Sequence, residues 1–133
     1  MYMKEDFLYE KETYNIRGAC FDVWGELGGA FKEKIVENAL VVELESRGFR
    51  VERQRRFEIH YKGKKVGVYI PDIIVNDKIL IELKVKEFIT KGDQKQFWYY
   101  LKATNYKLGL LINFSPDKLE IMRRIYDTAR KSV

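Results

Sequence analysis

The sequence predicts an α/β (α+β) fold in which helices flank a short mixed β-sheet. Three observations support this prediction. Apolar residues recur at helical spacing in the first third of the chain, strand-like segments separated by turns fill the middle, and a continuous apolar run at Leu108–Phe114 follows a further helix. The resulting order, α-α-β-β-β-α-β-α, places an antiparallel meander before a helix that crosses over to a buried strand.

Two helices are predicted at the start of the folded part. Residues 1–12 are mixed and charged, and we expect a flexible lead-in before a single domain that spans residues 13–133. Apolar positions from Thr13 to about Leu27 repeat every three or four residues, which is typical of a helix. A pair of glycines interrupts the pattern, and a second helix of the same kind ends at Gly48, a residue type favoured just beyond a helix C-terminus.

Three strands are predicted after the helices. The first spans residues 51–61 and is followed by a basic turn at residues 62–65. The second spans residues 66–75, and the third spans residues 79–85 after a turn at residues 76–77. We therefore expect consecutive strands to pair antiparallel.

The last third of the chain is expected to alternate between helix and strand. Thr90 and Asp93 lie three residues apart and match a capping box at the start of a helix that ends near Thr104. The apolar strand comes next. Ser-Pro-Asp at residues 115–117 then predicts the start of a final helix over residues 118–131.

The composition restricts the class of protein. The formal net charge is +5, from 25 Lys and Arg against 20 Asp and Glu, which is compatible with a polyanionic partner such as DNA. Cys20 is the single cysteine, so an internal disulfide and a cysteine-based zinc site are excluded. No apolar run approaches the ~20 residues of a membrane span, and we expect a cytoplasmic protein that makes no contact with a membrane.

Pro71-Asp72, followed ten residues later by Glu82-Leu83-Lys84, places two carboxylates and a lysine on adjacent predicted strands. Neighbouring carboxylates repel, and a divalent cation such as Mg²⁺ (or Mn²⁺) removes this repulsion because it prefers oxygen ligands. Lys84 follows Glu82 by two residues and points to the same face of its strand, where it could orient an attacking water and stabilise charge on a phosphate. The combination indicates a metal-dependent nuclease, and a surface ion-pair cluster is the alternative.

The nuclease interpretation sets a condition on strand register. A two-residue turn at residues 76–77 would pair Asp72 with Ile81 and place Asp72 and Glu82 on opposite faces of the sheet. One extra residue, from a three-residue loop at residues 76–78 or a bulge near Asp72, brings both carboxylates to one face. Without a metal, at least one of the two carboxyl groups should then have a raised pKa.

The order of the elements and the spacing of the motifs resemble those of the PD-(D/E)XK nuclease superfamily, and within it the small prokaryotic group of GxxExxY proteins. The similarity extends over roughly residues 18–126. The segments that carry it are residues 27–33, 37–40, 43–44, 61–63, 71–75, 82–84, 96, 100–101 and 109–114. In the motif that names the group, Glu33 is retained, whereas Ala30 stands at the glycine position and Val36 at the tyrosine position.

The resemblance implies a restriction-endonuclease-like core of the order αβββαβ that carries a metal site. Asp72 and Glu82 would hold the metal, with the Leu83 carbonyl as a third ligand. Glu33 would reach the same site directly or through a water. A solvated helix glutamate is the alternative for Glu33.

The resemblance also implies roles for residues beyond the metal site. Lys84 would orient the attacking water or stabilise the pentavalent phosphate, and its alternative is an ion pair with Glu82 or Asp72. Gln96 and Tyr100 are four residues apart and share one helix face, where such a pair supports the site or contacts nucleic acid in the superfamily. Core packing is the alternative for Tyr100.

Basic residues near the first predicted turn form the candidate nucleic-acid-binding surface, with a solvated face as the alternative. The members of this surface are Arg53, Arg55, Arg56, Lys62, Lys64 and Lys65. Tyr100 is a further candidate, and Trp98 and Tyr99 beside it either stack on bases or serve core or dimer packing. The single histidine, His60, is expected to be structural or solvated.

The residues and the resemblance together predict a Mg²⁺-dependent phosphodiester hydrolase similar to DNA endonucleases. Its predicted catalytic residues are Lys84, Asp72, Glu82, Gln96 and Glu33. A Holliday-junction-resolvase-like activity is one variant within the nuclease class, and a homodimer is compatible with it. The alternative from a different class is a catalytically silent nucleic-acid-binding or protein-interaction module that keeps the nuclease fold.

Overall fold

A computed structural model of the protein describes residues 8–126, which form three helices and seven strands. The helices are α1 (Glu10–Leu27), α2 (Glu33–Ser46) and α3 (Lys91–Thr104). The strands are β1 (Val51–Glu52), β2 (Phe57–Tyr61), β3 (Lys64–Tyr69), β4 (Ile73–Val75), β5 (Ile79–Lys84), β6 (Leu108–Phe114) and β7 (Leu119–Ile125).

Five of these strands form a mixed sheet in the order β1-β4-β5-β6-β7. β5 and β6 run parallel and are connected by α3, whereas the other neighbouring strands run antiparallel. β2 and β3 form a separate two-stranded hairpin. A short mixed sheet flanked by helices confirms the predicted fold class.

The two faces of the sheet bury two different cores, because successive residues of a strand point to opposite faces. On one face, Ile73 and Ile81 pack in a core with α1 and α2. On the other face, Ile74 and Leu80 pack in a core with α3 and the β2–β3 hairpin. The α1–α2 layer and the α3–hairpin layer therefore lie on opposite sides of the sheet.

Periodic burial accounts for the α1–α2 layer. α1 buries one stripe that includes Ile16 and Val23, and it begins at Glu10, three residues before its predicted start. Cys20 lies in the same stripe, where burial raises the pKa of its thiol to about 12. Gly48 follows the end of α2 with a φ of 89°, as its position in the sequence predicts.

Within residues 8–126, no helix is both long enough and apolar enough to cross a lipid bilayer.

The strands predicted at residues 51–61 and 66–75 are each divided between two sheets, so both predictions were wrong in extent. Gln54 adopts a left-handed φ of 66°, and the chain leaves the main sheet there after β1 has paired with β4. Pro71 lies between β3 and β4, where its missing N–H cannot join a strand ladder. The apolar pattern marks both segments as extended but contains no signal for a change of partner.

The final helix predicted over residues 118–131 is wrong for its described part. Residues 119–125 instead form β7, which pairs antiparallel with β6 along its whole length. This pairing satisfies backbone groups on an otherwise open edge of β6, and that tertiary gain overrides the local helical pattern. Residues 127–131, like residues 1–7 of the predicted lead-in, lie outside the described residues.

α3 is fixed both at its start and along its packed face. Thr90 Oγ1 accepts a hydrogen bond from the Asp93 N–H at 3.0 Å, and Asp93 Oδ2 accepts one from the Thr90 N–H at 2.9 Å, which confirms the predicted capping box. Gly109 of β6 allows Phe97 to approach the sheet, because a Cβ at this glycine would lie 2.6 Å from Phe97 Cζ. The helix is thereby held close against β6.

Candidate active site

The loop between β4 and β5 decides which side chains share a face of the sheet. Ile73 pairs with Ile81, so that residues 76–78 form a three-residue loop. Asp72 precedes β4 by one residue and lies opposite Glu82 in the same register. The register that the nuclease interpretation requires is therefore confirmed.

Asp72 and Glu82 are each bound to the backbone of the opposite chain segment. The Asp72 N–H donates to Glu82 Oε1 at 3.0 Å, and the Leu83 N–H donates to Asp72 Oδ2 at 2.8 Å. These two hydrogen bonds cross the strand pair in opposite directions. They hold both carboxyl groups on one side of the strands.

Burial and mutual repulsion oppose full ionisation of this pair. Burial, followed by the charge of Asp72, raises the pKa of Glu82 to about 7. Burial also raises the pKa of Asp72; the hydrogen bond from Leu83 opposes this rise, and the charge of Glu37 adds to it. The predicted rise is confirmed for both carboxyl groups, and a cation beside them would favour their ionised forms.

Glu33 and Lys84 add two charges to the same cluster. Glu33 is solvent-exposed in the first turn of α2, yet its pKa is raised by partial burial and by the charge of Asp72. Lys84 lowers the pKa of Glu33, Asp72 and Glu82, so its ammonium lies near all three. Lys84 forms no ion pair with any residue from 8 to 126, so its ammonium is not held by a single carboxylate.

Glu37 is a charged neighbour of the site that sequence reasoning missed. It lies one turn after Glu33 and is only 5% exposed. Its Oε2 is 2.7 Å from Arg53 Nη2 and 3.5 Å from Lys34 Nζ, and its charge acts on Asp72. The available signal was its four-residue spacing from Glu33, which places both on one face of α2.

Tyr69 is a second residue that the sequence did not reveal as part of the site. Its ring stacks on Tyr100 with centroids 3.8 Å apart and planes 8° apart. Its buried hydroxyl lies beside Glu82 and lowers the pKa of that carboxyl, although the two groups do not reach hydrogen-bonding geometry. Tyr100 therefore packs in the core and reaches the site through Tyr69, while Gln96, one turn earlier, is exposed.

The donor atoms at this site suit a partly hydrated divalent cation. Among residues 8–126, no three His, Cys, Asp or Glu side chains are arranged to enclose a metal. Asp72 and Glu82 offer carboxylate oxygens on one face, and the Tyr69 hydroxyl beside them has no hydrogen-bond partner within the described residues. Oxygen donors that leave room for waters fit Mg²⁺ or Mn²⁺ better than a closed metal cage does.

The predicted basic surface is divided into paired and unpaired residues. Arg53 is ion-paired with Glu37. Arg55 contacts Asp77 at 2.7 Å and donates to the Tyr106 hydroxyl at 2.9 Å. The members without a carboxylate partner among residues 8–126 are Arg56, Lys62 and Lys64, whereas Lys65 lies 3.7 Å from Glu58.

The sequence that forms this architecture matches a model of one protein family. A family model of the PD-(D/E)XK nuclease superfamily matches residues 10–125. The chain belongs to the PD-(D/E)XK nuclease superfamily. Nucleases of this superfamily generally use divalent metal ions, in agreement with the oxygen donors that this chain gathers on one face.

Solved structures are similar to this PD-(D/E)XK protein as well. The crystal structure of SSO0001 has 25% sequence identity and a TM-score of 0.51, and the match covers 73% of this chain and 52% of that one. The chain thus spans about half the length of that relative. An alkaline exonuclease (LHK-Exo) from Laribacter hongkongensis has 14% identity and a TM-score of 0.43, with 74% of this chain and 58% of that chain covered. No curated protein matches the sequence.

Proposed function

We propose that the protein is a Mg²⁺- or Mn²⁺-dependent phosphodiester hydrolase that cleaves DNA as an endonuclease. The observation that carries this proposal is the register of β4 and β5. It sets Asp72 opposite Glu82, and Lys84 follows on the same face of β5. Membership of the PD-(D/E)XK nucleases and the net charge of +5 support it.

In this proposal, Asp72, Glu82 and the Leu83 carbonyl hold the cation. When bound, the cation supplies charge neutralisation and an acidified water. Glu33, in the first turn of α2, would reach the same site directly or through a water. The hydrogen bonds between Asp72 and the opposite strand keep the two carboxylates in place, so little reorganisation is required.

Lys84 has the catalytic role that is separate from metal binding. Its ammonium lies near Glu33, Asp72 and Glu82 but is not engaged in an ion pair among the described residues. It is therefore free to orient an attacking water and to stabilise the negative charge that grows on the phosphate. Gln96, exposed on α3, contacts the substrate in this proposal.

We also assign the chain to the GxxExxY group within the superfamily. Glu33 keeps the charged position of the group's motif. Val36 occupies the tyrosine position and is fully buried in the α1–α2 core, where a tyrosine hydroxyl would need a hydrogen-bond partner. The departure at Val36 thus affects packing and leaves the charges of the site intact.

The test is cleavage of plasmid, linear and branched DNA by wild-type protein with Mg²⁺, Mn²⁺ or EDTA. We expect metal-dependent nicking, and a preference for the branched substrate would indicate a resolvase-like activity. Lys84→Ala should lower the cleavage rate by ~10²–10³ while DNA binding persists. Lys107→Ala, a change at an exposed lysine elsewhere, is the matched control and should cleave like wild type.

Tight DNA binding without metal-dependent cleavage of any duplex, single-stranded or branched substrate would overturn the proposed enzymatic function. In that case the chain is a catalytically silent binding module with a nuclease fold. Equal cleavage rates for wild type and Lys84→Ala would remove the assigned role of this lysine.

A further inference from the structure

The outer face of α3 carries a stripe of three lysines and one tyrosine at helical spacing. We call the residues Lys91, Lys95, Tyr99 and Lys102 the α3 stripe. Lys91, Lys95 and Tyr99 are exposed, and Lys102 is partly exposed. At a rise of 1.5 Å per residue the stripe is about 16 Å long, which matches roughly four or five stacked nucleotides.

The positive charge of the α3 stripe is not neutralised within the described part of the chain. The acidic residue of α3 is Asp93, and its carboxylate is occupied by Lys86 Nζ at 2.8 Å and by the Thr90 N–H at 2.9 Å. Among residues 8–126, no carboxylate forms an ion pair with a lysine of the stripe. The stripe therefore presents three uncompensated charges that suit a polyanion.

Tyr99 differs from the two aromatic residues beside it. The Trp98 ring packs edge-on against Tyr126 with centroids 5.7 Å apart, and Tyr100 stacks on Tyr69. Tyr99 is instead 55% exposed, with Lys102 Nζ 5.4 Å from its ring centroid. Two of three consecutive aromatic rings thus serve the core, and the third is exposed, with the ammonium of Lys102 over one of its faces.

An exposed aromatic face between lysines selects for unpaired bases. Lysines bind the phosphates of any nucleic acid, but a tyrosine ring can stack only on a base whose own face is uncovered. In a duplex, neighbouring base pairs cover those faces. Tyr100, the residue after Tyr99, stacks on Tyr69 beside Glu82, so the α3 stripe lies on the helix that supports the candidate active site.

We infer that the α3 stripe binds a single-stranded segment of the nucleic acid, with one unpaired base stacked on Tyr99. This inference deepens the proposed function and rests on it: the substrate would be DNA or RNA that exposes unpaired nucleotides beside the cleavage position. Lys91, Lys95 and Lys102 bind the phosphates of that segment, and Gln96 lies between Lys95 and Tyr100 along the helix.

The test measures binding without cleavage, so that it is independent of catalysis. The full-length Asp72→Asn protein in EDTA is titrated into labelled probes of equal length, followed by fluorescence anisotropy. The probes are single-stranded oligothymidine, an abasic DNA strand with the same phosphates, a DNA duplex, and oligouridine to separate DNA from RNA. We expect a normal single strand to bind more tightly than the abasic strand and the duplex.

Adding Tyr99→Leu should weaken binding of the normal single strand by about 5- to 150-fold and leave the abasic strand unaffected. Tyr14→Leu is the matched control, because Tyr14 is 77% exposed on α1, on the opposite side of the sheet. Lys95→Ala should weaken binding to every probe and reduce the salt slope by roughly 0.7.

Three results would overturn the inference. They are equal binding of the single strand and the abasic strand, no effect of Tyr99→Leu, and a change from dimer to monomer in sedimentation of Tyr99→Leu, which would make the stripe a self-association surface. If binding depends on Tyr99 but the wild-type protein never cleaves, the proposed nuclease activity is contradicted and the inference about the α3 stripe is not. If the protein cleaves duplex DNA with metal and Tyr99→Leu does not change the rate, the binding role of the α3 stripe is contradicted and the proposed nuclease activity is not.

Discussion

Glu82 is a single acidic residue within an apolar strand. Its neighbours Ile81 and Leu83 are 0% and 1% exposed, and Asp72 lies directly across the strand pair. A carboxylate in such surroundings is costly unless it takes up a proton or lies beside a cation. In the absence of a cation, the raised pKa of Glu82 shows which of these two applies: the carboxyl group holds its proton more tightly than usual.

The raised pKa of Glu82 predicts that stability depends on pH. The folded state holds this proton more tightly than the unfolded chain does, so the stabilisation is complete below the ordinary value of 4.5 and is lost as the pH rises through about 7. In metal-free buffer, the free energy of unfolding should fall over this range by on the order of 3 kcal/mol. Chemical denaturation at several pH values should show this fall in wild type and not in Glu82→Gln. Glu26→Gln changes an exposed residue of α1 and should keep the wild-type dependence of the free energy of unfolding on pH. If Glu82→Gln also kept that dependence, the fall could not be due to Glu82.

Mg²⁺ should stabilise the folded protein, because it would neutralise the charges of Asp72 and Glu82 that destabilise it when both are ionised. An ion that binds only the folded site raises the melting temperature as its concentration rises. Asp72→Asn should abolish this rise and, because it removes one of two repelling charges, should stabilise the metal-free protein. Thermal denaturation with increasing Mg²⁺ measures both effects. Asp117→Asn, at an exposed position after β6, should respond like wild type, and an equal response of Asp72→Asn would show that Mg²⁺ acts nonspecifically.

At the scale of elements, the sequence predicts what depends on local pattern and fails where distant pairing decides. The capping residues Thr90 and Asp93 follow from short-range spacing, and their capping box is observed. The loop between β4 and β5 did not follow from local pattern: a three-residue loop or a bulge was required only by the nuclease interpretation, and the structure has the loop. β7 depends on the open edge of β6, which no local pattern reveals. Likewise, the role of Tyr69 depends on its stacking on Tyr100, 31 residues later in the chain.

The β2–β3 hairpin and its approach contain two kinds of basic residue, and this difference predicts two kinds of effect. Lys64 is exposed and forms no ion pair among residues 8–126, so Lys64→Ala should weaken DNA binding and reduce its salt dependence by roughly one phosphate contact. Arg55 contacts Asp77 and Tyr106, so Arg55→Ala should lower the free energy of unfolding by about 1 kcal/mol, with a smaller change in the salt slope. Salt titrations of binding and chemical denaturation separate the two. Equal salt slopes for both variants would contradict this division of the basic surface.

At the scale of the whole molecule, the candidate site draws on both layers of the fold. Glu33 comes from α2 on one side of the sheet, whereas Tyr69 and Tyr100 belong to the core under α3 on the other. Asp72 and Glu82 lie in the strand pair between these layers. The geometry of the site therefore depends on how closely α3 packs against the sheet.

The contact between Gly109 and Phe97 sets that distance and gives the last prediction. A Cβ at Gly109 would lie 2.6 Å from Phe97 Cζ, so Gly109→Ala should force α3 away from β6 and cost about 1–3 kcal/mol in chemical denaturation. Gly67→Ala is the matched control, since Gly67 also lies in a strand but has no atom within 4 Å of the added Cβ. Phe97→Leu combined with Gly109→Ala should cost less than the sum of the two single changes, because the smaller side chain leaves room for the methyl group.

Gly109→Ala should also slow cleavage through the displacement of Tyr100. A Gly109→Ala protein that is as stable and as active as Gly67→Ala would show that the packing of α3 does not control the site.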